Sequence, residues 1–264
     1  LNVEWEQMMD LVKARGIFEE ENYICFTSDL DWAPEAAIED TLRLFLENDI
    51  SPTVFVTHES EVINKYQQKI DLGIHPNFIQ PSSQGNSPAE IIAYCDKLVE
   101  NTQVFRCHRW YASNDIYDAL WEKGYRYESN LCTDMDVVPP FLHRSGMVCF
   151  PVFFEDGAYI YHGYEMDFNA VQDRFSRKGL KVINMHPMHY ALNTPYFKYT
   201  REIKDSLTRD EWNGMTDRRL KELAYSGNGI REFMQKLVFW TKENGARVIT
   251  LRQAYDMCCT GEEL

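Results

Sequence analysis

The chain has 264 residues, 44% hydrophobic and 14% aromatic, which is ordinary for one α/β barrel with a large core. Its formal charge of −14, from 27 basic and 41 acidic side chains, repels nucleic-acid phosphates and anionic headgroups and excludes nucleic acid as a partner, while local basic patches leave room for a small anionic substrate. No apolar run reaches the length of a membrane span. The seven cysteines are odd in number, scattered and without C-x-x-C spacing, which fits a reducing, cytoplasmic location. The start, Leu1-Asn2-Val3-Glu4, has neither the basic beginning nor the apolar block of a signal peptide.

Residues 5–15 carry Trp5, Met8, Met9, Leu11 and Val12 at helical spacing and predict a short leading helix. A strand follows over 22–28. A helix over 34–48 is opened by Pro34 and carries Ala37, Ile38, Leu42, Phe45 and Leu46 on one face. The β-branched and aromatic run 53–57 predicts a second strand, and a helix around 60–68 leads to a third at 70–75. A polar loop over 80–88, a helix over 89–100, a strand at 104–106 and a helix over 114–123 ending at Gly124 continue the alternation. Strands at 148–154 and 179–185, a helix over 230–243 and a strand at 247–251 close the chain. Alternating strands and helices argue for a parallel sheet covered by helices. No linker separates two domains, so residues 1–264 read as a single domain. An insertion near 193–228 is too long for a plain connection and suits a lid or a subunit contact.

The polar residues that matter fall at predicted strand ends, where parallel α/β folds gather function. Asp29 and Asp31 end the first strand. With period-two alternation they share a face, and two like charges there call for a shared metal ion or proton. The competing reading, an acidic cap for the next helix, needs only one acid. His75 ends the third strand, Arg106 and His108 the fourth, and His186 and His189 follow the run 182–185. Trp32, Trp110, Tyr111, Phe153 and Phe154 flank these ends as candidate sugar platforms or as ordinary core. The acids of Phe154-Glu155-Asp156 either reach the same mouth or cap a helix.

These motifs resemble those of the polysaccharide deacetylases, the NodB-homology carbohydrate esterases. Thr27-Ser28-Asp29-Leu30-Asp31 matches their D-x-D motif, Asp71-Leu72-Gly73-Ile74-His75 the E-[IL]-G-x-H motif, and Val104-Phe105-Arg106 with the helix after it the third. Val182-Ile183-Asn184-Met185-His186-Pro187 matches the last. The forms around His75 and His186 are most similar to a divergent, WbmS-like subgroup. The resemblance implies a distorted (β/α)7-type barrel with mostly parallel strands. It also implies a metal-dependent deacetylase acting on an N-acylated sugar in surface-polysaccharide or lipopolysaccharide biosynthesis. By it, Asp29 is the general base, oriented by Arg106, and His186 the general acid. Asp31 and His75 are ligands to a divalent ion of the zinc type. The second histidine of the family's motif is Ile79 here. His108, where the family has proline, is the best third ligand, with Asn77 and His58 as weaker choices. A base and an acid in opposite protonation states predict a bell-shaped pH profile. Two alternatives are a catalytically inactive glycan- or nucleotide-sugar-binding domain on the same fold and a hydrolase of cyclic amides.

Overall fold

The computed structural model describes the backbone of residues 2–263 and the side chains of 11–263. The strands are β1 (Asn22–Asp29), β2 (Thr53–Val56), β3 (Asp71–Ile74), β4 (Val104–Phe105), β5 (Tyr127–Glu128), β6 (Phe141–Leu142), β7 (Val148–Cys149), β8 (Val152–Glu155), β9 (Gly179–Met185) and β10 (Arg247–Val248). The first helices are α1 (Asn2–Glu20), α2 (Glu35–Leu46), α3 (Glu61–Tyr66), α4 (Pro88–Leu98) and α5 (Asn114–Glu122). Then come α6 (Asp156–Tyr161), α7 (Gln172–Phe175), α8 (Pro187–Ala191), α9 (Tyr199–Asp205), α10 (Arg209–Asn213), α11 (Asp217–Leu223), α12 (Ile230–Glu243) and α13 (Leu251–Thr260).

The sheet runs β6-β7-β5-β4-β3-β2-β1-β9-β8, with β10 added to β1, and every pairing is parallel except β6 with β7. β7 and β8 are two halves of one extended segment, interrupted at Phe150-Pro151. The first half pairs β5 and the second pairs β9. A parallel bridge from Cys132 to Val152 continues the first pairing. The sheet therefore curls round on itself as a distorted, mostly parallel barrel. The expected single strand over 148–154 is broken because proline cannot donate to the ladder.

Period-two alternation explains what lines the barrel. Tyr23 and Cys25 of β1, Phe55, Val104, Tyr127, Val152, Leu180 and Val182 form one buried cluster. Leu11, Ala14 and Phe18 of α1 and Leu251, Ala254, Met257 and Cys258 of α13 close its floor. The opposite parity, Ile24 and Phe26 of β1 and Ile183 and Met185 of β9, packs outward against α12 through Phe233, Met234 and Leu237. Continuing the inward parity one step higher gives Thr27, Asp29, His75, Arg106, Ser129 and Asn184. Gly73 belongs to this inner face: a Cβ there would lie 2.8 Å from the Phe55 ring and 2.8 Å from Val104.

Two further expectations are corrected. The leading helix runs to Glu20, because Ala14 and Phe18 pack beneath the barrel with Leu11. Val12 on the same helix is exposed, and the expected side chains Trp5, Met8 and Met9 lie outside the described residues. The closing strand stops at Val248, since Thr250 and Gln253 form a capping box that starts α13. The insertion consists of three short helices, α9, α10 and α11. Its neck is stapled by Asn193, whose Nδ2 donates to the carbonyls of Tyr225 and Gly227. Trp212, Met215 and Leu220 anchor it in the same core cluster as α2. Among the described residues no helix is long and apolar enough to cross a membrane.

Candidate active site

Arg106 is the fully buried centre of the barrel mouth. Its Nη1 donates to Asp29 Oδ1 (2.9 Å), Thr27 Oγ1 (2.9 Å) and Asn184 Oδ1 (2.7 Å). Its Nε and Nη2 donate to the carbonyl and hydroxyl of Ser129, each at 2.7 Å. Phe55 stacks under the guanidinium, 4.3 Å away. Asn184 Nδ2 donates to the second Asp29 oxygen at 2.8 Å. The buried Asp29 thus has its charge met by a guanidinium and both oxygens fixed in direction, as buried carboxylates require.

Asp31 does not share a strand face with Asp29, contrary to the period-two expectation. β1 ends at Asp29, and Asp31 and Trp32 both adopt left-handed backbone, φ +45° and +55°. The turn is held by Ala33 N–H donating to the Leu30 carbonyl and by Trp32 N–H donating to Thr57 Oγ1. Nor does Asp31 cap the next helix, whose N-cap is Pro34. After β4, His108 opens a turn in which Arg109 and Trp110 are again left-handed, φ +54° and +59°. Consecutive left-handed residues cost roughly 1–2 kcal/mol each. Such strain concentrates at functional turns, and here it occurs in the two turns that carry Asp31 and His108.

Those turns and β3 bring three donors together. Asp31 Oδ1 lies 3.1 Å from His75 Nε2 and 3.0 Å from His108 Nδ1. The ligand atoms of Asp31, His75 and His108 all lie within 4.8 Å of one another. Burial disfavours a charged Asp31, but hydrogen bonds from His108 and His75 and the nearby His186 outweigh it and hold the carboxyl well below its usual range. His75 is buried, and its Nδ1 has no partner, so Nε2 is the ring's one polar anchor.

A second group faces the first. His186 follows β9, and its Nδ1 is 2.6 Å from Asp156 Oδ1 and 3.3 Å from Glu155 Oε1. Its backbone N–H donates to Asp156 Oδ2 at 2.8 Å. His186 Nε2 points the other way, 3.7 Å from Asp31 Oδ2. One turn on, His189 Nδ1 is 3.3 Å from Asp156 Oδ2. Burial alone would lower the His186 pKa, but the Asp156 charge and hydrogen bond, with Asp31 and Glu155, raise it well above the usual imidazole value. Burial likewise opposes ionisation of Asp156, and the charges of His186 and His189 overcome it. Glu155 is raised by burial. Its side chain caps α6 through Ala158 N–H.

The sequence-predicted residues Asp29, Asp31, His75, Arg106, His108 and His186 therefore meet at one mouth. His58 is turned aside, 2.8 Å from Thr57 Oγ1, and is not among the Asp31 group, while Asn77 Oδ1 accepts from Ile79 N–H at 3.0 Å and its backbone N–H donates to Gln84. Phe153 and Phe154 are buried core rather than sugar platforms. Trp32 stands edge-on to His108, while Tyr111 is 53% exposed. A cavity of about 710 Å³ opens over Asp31, Glu155, His186 and His189 and is walled by Phe197, Lys204 and Trp212 of the insertion. Two polar residues went unassigned from sequence. Asn184 carries the signal of sitting two before His186 on an inward parity, and Asp156 was hidden beside a capping acid.

A curled, mostly parallel sheet of this order is the architecture of a polysaccharide deacetylase. The family profile of WbmS-like polysaccharide deacetylases matches residues 26–203, and the chain belongs to that family. A crystal structure from Bordetella bronchiseptica, of a protein assigned as a polysaccharide deacetylase involved in O-antigen biosynthesis (WbmS), superposes with a TM-score of 0.73. It shares 25% identity over 83% of this chain and 91% of its own. A protein of Mycobacterium smegmatis assigned as a polysaccharide deacetylase gives a TM-score of 0.46 at 15% identity, over 83% of this chain and 91% of its own. No curated protein matches the sequence.

Proposed function

We propose that the chain is a metal-assisted hydrolase that removes an N-acyl group, acetyl first among them, from a sugar used in surface-polysaccharide assembly. The observation that carries the reading is the convergence of His75 Nε2 and His108 Nδ1 on one oxygen of Asp31, at 3.1 and 3.0 Å. One carboxylate and two imidazoles are the donor set of an open divalent site, and the zinc type fits it best. An ion held by Asp31, His75 and His108 supplies positive charge that polarises the acyl carbonyl and eases deprotonation of water.

The protein's own groups account for the proton traffic. Asp29, ionised and oriented by Arg106 and Asn184, takes a proton from water as the oxygen adds to the acyl carbon. The carbon–nitrogen bond then breaks, and the departing amine takes a proton from His186 Nε2. Asp156 keeps that ring protonated and aimed. The products are a carboxylate and an amino sugar. The cavity of about 710 Å³ is large enough for a sugar unit, with the Phe197 ring, 56% exposed, beside it. The relative assigned to O-antigen biosynthesis supports a surface polysaccharide as the source of that unit.

The test is acetate release from N-acetylated amino sugars, offered free, nucleotide-linked and as oligomers, with zinc supplied. Release by the parent and none by Asp29→Asn is expected. Sugar binding without release in the parent would instead favour a glycan-binding domain.

A further inference from the structure

An acid that donates one proton needs one imidazole and one carboxylate to hold it. The wall opposite Asp31 has two of each. Asp156 is fully buried and offers one oxygen to His186 Nδ1 at 2.6 Å and the other to His189 Nδ1 at 3.3 Å. Glu155 Oε1 approaches His186 Nδ1 at 3.3 Å. His189 Nδ1 is buried yet makes no hydrogen bond, being poorly aligned with Asp156. The ligand atoms of Asp156, His186 and His189 lie within 4.8 Å of one another. The local sequence explains the convergence. Pro187 starts α8 directly after β9, so His186 and His189, three apart, project from the same side. Glu155 ends β8, the neighbour of β9, and Asp156 opens α6 directly after it.

We propose that Glu155, Asp156, His186 and His189 form a second divalent-cation site, of the zinc class, whose filling switches the enzyme off. Around an ion with bonds of ~2.0 Å, tetrahedral donors stand about 3.3 Å apart. Two of the three contacts already have that spacing, 3.3 Å each. The third, between His186 and Asp156, must lengthen by giving up a hydrogen bond, which makes this site the weaker of the two. Two imidazoles favour a zinc-like ion over magnesium or calcium. The cavity over His186, His189 and Glu155 gives a hydrated ion its approach. A cation on His186 Nδ1 takes the place of the proton shared with Asp156, and the ring can no longer act as an imidazolium. This inhibitory consequence rests on the proposed acid role of His186, whereas the binding itself does not.

Equilibrium dialysis against rising zinc, read by elemental analysis, tests the site on the parent, His75→Ala and His189→Ala proteins. The parent is expected to take a second ion above the one retained in metal-free buffer, His189→Ala to stop at one, and His75→Ala still to take up one weakly held ion. Excess zinc should lower parent turnover at least about 10-fold and leave His189→Ala largely insensitive, as the loss of one of few ligands implies. A parent that stops at one ion, or a second ion taken up equally by His189→Ala, would overturn the site. A second ion bound without loss of turnover would overturn the switch. Should the parent show no deacetylation at all, the dialysis results alone still decide whether the site exists.

Discussion

Two groups of one aspartate and two histidines face each other across the barrel mouth, and they differ in what surrounds the aspartate. Asp31 lies on a strained turn at the edge of the cavity, and His75 and His108 meet on a single one of its oxygens. Asp156 is fully buried, divides its oxygens between His186 and His189, and has a second carboxylate, Glu155, beside it. The first arrangement aims two ring nitrogens at one carboxylate oxygen, a common focus that suits a cation once the nitrogens give up their protons. The second surrounds an imidazole with negative charge, which suits a proton. The same residue types are thus proposed to serve different chemistry because burial and the count of nearby carboxylates differ.

Asp29 belongs to neither group, and its substitution is expected to have the largest effect. Asp29→Asn should lower kcat by roughly 10³-fold or more while leaving metal content unchanged, since the amide keeps the shape but cannot accept a proton. Loss of the ion in that variant would mean that the two acids of the D-x-D motif have exchanged roles. His186→Ala should cost about 10²–10³-fold in kcat, again with the ion retained; a variant that loses the ion would place His186 with the first group. Asp156→Asn should cost about 10–100-fold through a misaimed, less protonated His186, and an unchanged kcat would remove Asp156 from the acid.

A smaller effect is expected away from both groups. Glu128, buried below Asn130 and Cys149, has its carboxyl pushed up by burial to about 7. Its folded value exceeds the ordinary 4.5. Its contribution to stability is therefore full below about pH 4.5 and is lost as pH rises through about 7. Glu128→Gln should remove that dependence and gain up to about 3 kcal/mol at pH 8 relative to the parent, compared with pH 5. Equal pH dependence of the parent and variant in denaturant titrations would show that Glu128 titrates normally.

Much of this arrangement was legible in the sequence because strand ends are legible. Apolar runs stop at Asp29, His75, Arg106 and His186, and a parallel barrel delivers such ends to one place. Parity along β9 could have added Asn184 as well. Other features depend on contacts that no local pattern carries. Asp31 reaches its partners from a left-handed turn, not along a strand, and nothing in D-x-D distinguishes the two. Asp156 follows Glu155, a true helix cap, and for adjacent acids at an element boundary local pattern leaves capping and a place at the mouth equally open. The last strand was overextended because Ile249 and Thr250 have β propensity, whereas the Thr250–Gln253 capping box turns the chain into a helix that seals the barrel floor.

Asp31, His75 and His108 are proposed to hold one ion. The most direct test is the metal content of the parent and of His75→Ala, each loaded with zinc and then dialysed against metal-free buffer. One divalent ion per chain is expected in the parent and none in the variant. A parent emptied by the same dialysis, or a variant that keeps its ion, would contradict it.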